Sequence, residues 1–231
     1  RYAFPKLYAL EQKYGGILRG SIAIMRADRK SNAPKVEKQI ISFKNGLAEL
    51  PQLLVTALGE AVHANVSISS IQKIGAGWRV DWNGIAHLYD EILLTTPAHA
   101  LDKLPLDESL QKALKPLLAI NYSPVSVLTV AFKRSDVAHP LDGFGLLVPE
   151  YEGRKILGAL FPASLFASRA PAGEVLLTVF VGGERQAGLA VPDKDTLLAS
   201  VLPELKELFG TTGEPTFSHH RHWPRAIPQY N

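Results

Sequence analysis

Four apolar segments most constrain what this chain can fold into: PVSVLTVAF (124–132), FGLLV (144–148), KILGALF (155–161) and EVLLTVFVGG (174–183), separated by turns bearing Gly and Pro. Runs this short, rich in Val, Leu and Phe and bounded by turn residues, read as strands, and turn-joined strands favour an antiparallel sheet. Such a sheet needs helices to bury a face. Asp193 opens a helix expected over about 194–209, with Leu197, Leu198, Val201, Leu202, Leu205 and Leu208 on its buried side and Gly210 as its stop. Asp107 opens another, in which Leu110, Ala113, Leu114, Leu117 and Leu118 fall on one stripe. A last strand is expected over PTFSHHRHW (215–223), ending near Pro224. The class that follows is α+β, built on an antiparallel sheet with helices.

The first hundred residues read differently. Pro5, Leu7, Tyr8, Leu10 and Tyr14, ended by Gly15-Gly16, predict a helix over about 5–14. Residues 17–25 are expected to be a short buried segment. From Arg26 to Lys44, six basic residues stand against two acidic ones around Asn32 and Pro34, the pattern of a solvated loop. Leu47, Leu50, Leu53, Leu54 and Leu58 recur at helical spacing, predicting a helix over 47–59. Val66, Ile68 and Ile74, then Trp78, Val80 and Trp82, then Ile85 and Leu88, describe three short strands joined at Gly75-Ala76-Gly77 and Asn83-Gly84. EILLTTP (91–97) is expected to be a strand buried on both faces. The segment from 107 to 210 is large enough for a core of its own, which places boundaries near 100 and 214.

The chemistry is constrained mainly by what is absent. Without Cys there can be no disulfide, thiolate nucleophile, Cys-ligated zinc or iron–sulfur cluster. The net charge of +3 comes from well-mixed charges, so nucleic acid is not an expected partner. No apolar run reaches the ~18 residues that span a bilayer. Gly75-Ala76-Gly77 lacks a third Gly and a following helix, so it reads as a hairpin turn rather than a phosphate loop. His219, His220 and His222 alternate between strand faces with no acidic companion, so no metal site is expected. There is no Gly-x-Ser-x-Gly elbow and no carboxylate pair. No catalytic residue is assigned, which fits a protein whose chemistry a cofactor carries.

Four stretches together resemble the protoporphyrinogen oxidase family of the flavin amine-oxidase superfamily: FPKLYALEQKYGG (4–16), SFKNGLAELPQLL (42–54), LDGFGLLVPE through LGALFPASLFASRAPAGEVLLTVFVGG (141–183), and HWPRAIPQY (222–230). The likeness covers essentially the whole chain, and the SLFxxRAPxG segment is its most specific part. It implies that the chain, which opens on Arg1 without Met, is the middle of a longer enzyme that carries FAD on segments before and after it.

The resemblance also implies an organisation and a set of roles. Residues 1–41 would be a helix and strand of the substrate domain with its basic loop, 42–100 part of an FAD-binding α/β domain, 101–214 the substrate-binding domain, and 215–231 a strand returning to the FAD domain. Cofactor contacts would fall at Ile71, Thr96, Trp223 and Ala226, and an apolar substrate wall at Val137, Leu147 and Phe166. The implied reaction is FAD-dependent oxidation of protoporphyrinogen IX to protoporphyrin IX, with oxygen or a respiratory acceptor taking the electrons. The implied location is cytoplasmic, or peripheral on the cytoplasmic face of the membrane. The alternatives are coproporphyrinogen III oxidation on the same fold, and a non-catalytic substrate-binding module for the isolated chain.

Overall fold

The computed structural model describes residues 5–30, 40–191 and 193–229. The chain divides into two compact units, one ending at Ser42 and the other running from Phe43 to Gln229. In the first, α1 (Pro5–Tyr14) and α2 (Ile17–Lys30) form a hairpin turned at Gly15, where φ is 70°. Gly20 is buried, and a Cβ there would stand 2.9 Å from the Leu10 side chain, so only Gly lets α2 lie this close to α1. The buried segment expected at 17–25 is therefore the first part of a helix. Ile17, Leu18, Ile22, Ile24 and Met25 on it are exposed, because one ten-residue neighbour covers only one side. Arg26, Arg29 and Lys30 belong to this helix, and Lys35 and Lys38 lie outside the described residues.

The second unit begins with α3 (Glu49–Leu58), followed by β1 (Ile68–Ile74), β2 (Gly77–Trp82) and β3 (Ile85–Tyr89) in an antiparallel meander. Asn83 and Gly84 both have positive φ, 52° and 76°, the geometry of a tight two-residue hairpin. The meander's small core is Ile71, Val80 and Leu106, with Trp78, Trp82, Leu110 and Leu114 packed around it. Residues 91–97 are not a strand. No described segment pairs with them, so the ladder that would bury both faces is missing, and Leu93 is left 85% exposed.

Asp107 caps α4 (Glu108–Leu114), its carboxylate accepting the Leu110 N–H at 3.0 Å. The chain then enters β4 (Tyr122–Lys133), β5 (Gly145–Leu147), β6 (Ile156–Leu160), the short helix α5 (Pro162–Leu165), β7 (Glu174–Gly182), α6 (Lys194–Phe209) and β8 (Phe217–Pro228). The strands form one antiparallel sheet in the order β5-β6-β7-β4-β8. Asp193 caps α6 by accepting the Thr196 N–H at 2.8 Å, and Gly210 ends it at φ 60°. Leu197, Val201, Leu205 and Phe209 of α6 bury against Leu128, Val130 and Phe132 of β4 and Leu177, Val179 and Val181 of β7. Arg154, after β5, ties to α6 through Glu207 at 2.8 Å and Glu204 at 3.3 Å.

The strand expected to return to another domain is instead part of this sheet. β8 pairs antiparallel with β4 from Phe217 to Pro228, with a register shift opposite Ser123–Val125. It continues through Pro224, which an edge strand tolerates at an irregularity because no ladder hydrogen bond is needed there. The compact unit also runs through 100 and 214, so neither expected boundary divides the described residues. Pairing with β4 satisfies the main chain of β8 in a way that a lone excursion would not.

Candidate functional site

Side chains alternate along each strand, so the residues between those that face α6 point to the sheet's other face. The pairing lays out one row across all five strands there: Leu147 opposite Gly158, Gly158 opposite Phe180, Phe180 opposite Val127, and Val127 opposite Arg221. Gly158 has no side chain to fill its place, which leaves a hollow between Leu147 and Phe180. A Cβ at 158 would come within 2.5 Å of the Leu146 carbonyl oxygen, so the hollow cannot be filled without moving β5. The result is an apolar depression of about 190 Å³ whose walls include Val125, Leu147, Leu160, Phe180 and Ile227. Trp223 lies opposite Val125 on β8, with the Arg221 guanidinium 4.8 Å from its ring centroid. The arrangement offers aliphatic and aromatic carbon, with the Arg221 cation in the same row of the sheet.

The expected site residues are not all brought here. Leu147 is 88% exposed at the edge of the depression. Trp223 is half-exposed on β8, and Ala226 follows on the same strand. Phe166 sits just after α5, under the Arg169 guanidinium at 5.6 Å, and Arg169 also donates to the Phe43 carbonyl at 2.7 Å. Val137 is no wall. It is 3% exposed inside the core shared with α6 and bridges to Thr211, on the other side of the sheet from the depression. Thr96 is exposed on the irregular segment before Pro97. Ile71 is buried in the meander, where its N–H donates to Pro105 at 2.8 Å and its carbonyl accepts from Asp107 at 3.3 Å. Val125, Leu160, Phe180 and Ile227 were missed by the sequence reading. For Val125 and Phe180 the only signal is the period-2 alternation within 124–132 and 174–183; Leu160 and Ile227 lie in other strands and have no such signal.

The histidines of β8 lie on both faces. His219 is exposed, while His220 and His222 share the α6 side, ring centroids 6.5 Å apart. Ser126, fully buried, donates its only proton to the Val191 carbonyl at 2.9 Å, so its contact of 3.1 Å with His222 requires Nδ1 to carry the hydrogen. His220 keeps a buried Nε2 without a partner. Burial first, and then the neighbouring His222 and His219, hold its pKa below the usual imidazole value. Hydrogen bonds from Ser109 and Leu110 lower the Asp107 carboxyl, and those from Thr196 lower Asp193. Among the described residues no cluster of metal-ligating side chains occurs, and no helix is long and apolar enough to cross a membrane.

Against known proteins, residues 1–231 match the family model described as flavin containing amine oxidoreductase. The chain belongs to that family. It is 31% identical to protoporphyrinogen oxidase 2, chloroplastic/mitochondrial, of Arabidopsis thaliana over 100% of its own length and 50% of the relative's. It is 24% identical to coproporphyrinogen III oxidase of Staphylococcus aureus, covering 99% of itself and 50% of that protein. A crystal structure of a candidate protoporphyrinogen oxidase from Exiguobacterium sp. 255-15 shares the fold, with TM-score 0.71 and 21% identity over 98% of this chain and 47% of that one. The chain spans about half the length of the curated relatives it matches.

A flavin dinucleotide fits the described residues only in part. Its pyrophosphate needs a Gly-rich turn leading into a helix N-terminus. Gly75-Ala76-Gly77 instead joins β1 to β2, and the Ile71 main chain is already bonded to Pro105 and Asp107. Trp223 remains an exposed aromatic surface against which a planar ring can stack.

Proposed function

We propose that the parent protein is an FAD-dependent oxidase of a porphyrinogen, protoporphyrinogen IX in the first instance, and that this chain supplies its apolar substrate face. The observation that carries the reading is the depression opened by Gly158 between Leu147 and Phe180, with Arg221 in the same row of the sheet, against Trp223. A tetrapyrrole is a wide apolar ring with anionic side arms, so it needs carbon walls and a few cations. Leu147 and Phe166 serve the ring, and Trp223, Ala226 and Thr96 lie toward the flavin. Ile71 reaches the adenine end only after its main-chain bonds to Pro105 and Asp107 open.

The chemistry that bound FAD would supply is hydride acceptance, three two-electron steps for each porphyrinogen, with oxygen or a respiratory acceptor reoxidising it. The residues here bind and orient the ring and keep water from its apolar face. The Staphylococcus relative supports coproporphyrinogen III as the second reading. The exposed apolar residues of α2, beside Arg19 and Arg26, support a peripheral contact with the membrane, on the cytoplasmic face of which the parent would act.

The isolated chain is expected to be a colourless, inactive binding module. The test is to titrate it with protoporphyrin IX, the stable oxidised ring, following quenching of tryptophan fluorescence. Saturable binding should weaken about 5- to 150-fold in Phe180→Ala, the loss of roughly 1–3 kcal/mol of aromatic contact. Absence of saturable binding, or an unchanged affinity in that variant, would sink the assignment of this face.

A further inference from the structure

A second cavity, of about 320 Å³, lies at one end of the β4–β8 ladder and has no part in the reading above. Its polar lining is His99, Asp102, Asn121, Tyr122 and Arg225. The Tyr122 Oη accepts the Ala98 N–H at 3.2 Å, which leaves the phenol's own proton for another acceptor. The His99 ring stands edge-on to Tyr122, centroids 4.7 Å apart, and its Nδ1 is buried with no hydrogen-bond partner. A buried polar atom left unpaired marks a place where a ligand atom or an ordered water belongs. Asn121 spends one amide hydrogen on Glu184, at 3.4 Å, and keeps the other. Neither Arg225 nor Asp102 forms an ion pair among the described residues.

The cavity therefore presents a free guanidinium and several neutral donors, with a single free carboxylate beside them. A simple inorganic anion would pair with Arg225 but be repelled by Asp102. A cation would meet the reverse problem. A ligand with a carboxylate and a hydroxyl satisfies both ends, and the volume, at the low end of the roughly 300–1,000 Å³ range of ligand sites, restricts it to a small molecule. We propose that this cavity binds a small hydroxycarboxylic acid, Arg225 pairing with the carboxylate, His99 and Tyr122 hydrogen-bonding it, and Asp102 accepting from the hydroxyl. The proposal rests on this geometry alone and not on the porphyrinogen reading.

The test uses the 231-residue chain, labelled with ¹⁵N and titrated with lactate, with propionate as the acid lacking the hydroxyl. Lactate should shift the amides of 98–102 and 120–122 saturably, and propionate should bind at least about tenfold more weakly. Arg225→Gln should weaken both acids at least about tenfold. Asp102→Asn should lower lactate to the propionate level while leaving propionate no worse, a pattern that mere damage to the fold cannot produce. Absence of saturable lactate binding, or binding indifferent to Arg225→Gln, overturns the proposal. So does lactate failing while coproporphyrin, whose carboxylates carry no hydroxyl, binds through Arg225; that result would assign the cavity to side arms of a ring.

Discussion

The five-stranded sheet and the region from α3 to residue 97 have similar apolar content but very different burial. In the sheet, Leu128, Val130, Phe132 and Leu177 have no exposed surface. In the other region Leu50, Leu53, Leu54, Val55 and Leu58 of α3 are each about half exposed, and α3 has no buried residue at all. A helix of ten residues is marginal on its own in water, so its stability has to come from packing. The difference shows that hydrophobic periodicity specifies a face, while burial requires a partner element within reach of it.

The sharpest way to break this comparison is a pair of truncations. Phe132→Ala removes a fully buried ring between β4 and α6 and should cost about 3–5 kcal/mol of stability in urea unfolding. Leu54→Ala on α3 should cost under about 1 kcal/mol, because half its surface is already in water. Equal losses would mean that α3 is packed in solution and that the contrast is false.

A second pair separates core from site within the sheet itself. Val137→Ala, in the core, should lower stability by about 1–3 kcal/mol and leave porphyrin affinity unchanged. Leu147→Ala, at the exposed edge of the depression, should change stability by less than about 0.5 kcal/mol and weaken porphyrin binding. A reversed pattern would return Val137 to the wall and Leu147 to ordinary surface.

The smallest effect is that of pH on the β4–β8 edge. The His220 pKa is held below its ordinary value of 6.5, chiefly by burial. Below pH 6.5 the unfolded chain therefore takes up a proton that the folded chain refuses. The contribution is present above 6.5 and is lost as pH falls through the folded value. Urea midpoints between pH 8 and 5 should decline on acidification, and His220→Gln should flatten part of that slope. The Asp107 and Asp193 carboxyls, lowered from 3.8, lose their contributions only in a more acid window. An unchanged slope in the variant would show that the edge carries no such linkage.

Much of this fold was legible in the residues. The Asp107 and Asp193 caps, the Gly210 stop, the Asn83-Gly84 hairpin and the four β runs are local signals, each decided within a few residues of itself. Family membership was legible as well, because SLFASRAP and WPRAIPQY are specific strings. What failed were expectations in which the identity of a distant partner decides the outcome. EILLTTP has the composition of a buried strand but finds no neighbour among the described residues, and residues 17–25 form a helix that α1 covers on one side only. The 215–223 segment reads as a strand, yet nothing in it says that β4 will be its neighbour. The site divides in the same way. Leu147 and Trp223 are recognisable from their strings, whereas the hollow between Leu147 and Phe180 exists because pairing sets Gly158 opposite both of them. Local backbone preferences and period are written in contiguous residues. Register, strand order and the face left open depend on contacts between residues far apart in the chain, and only the tertiary structure decides those.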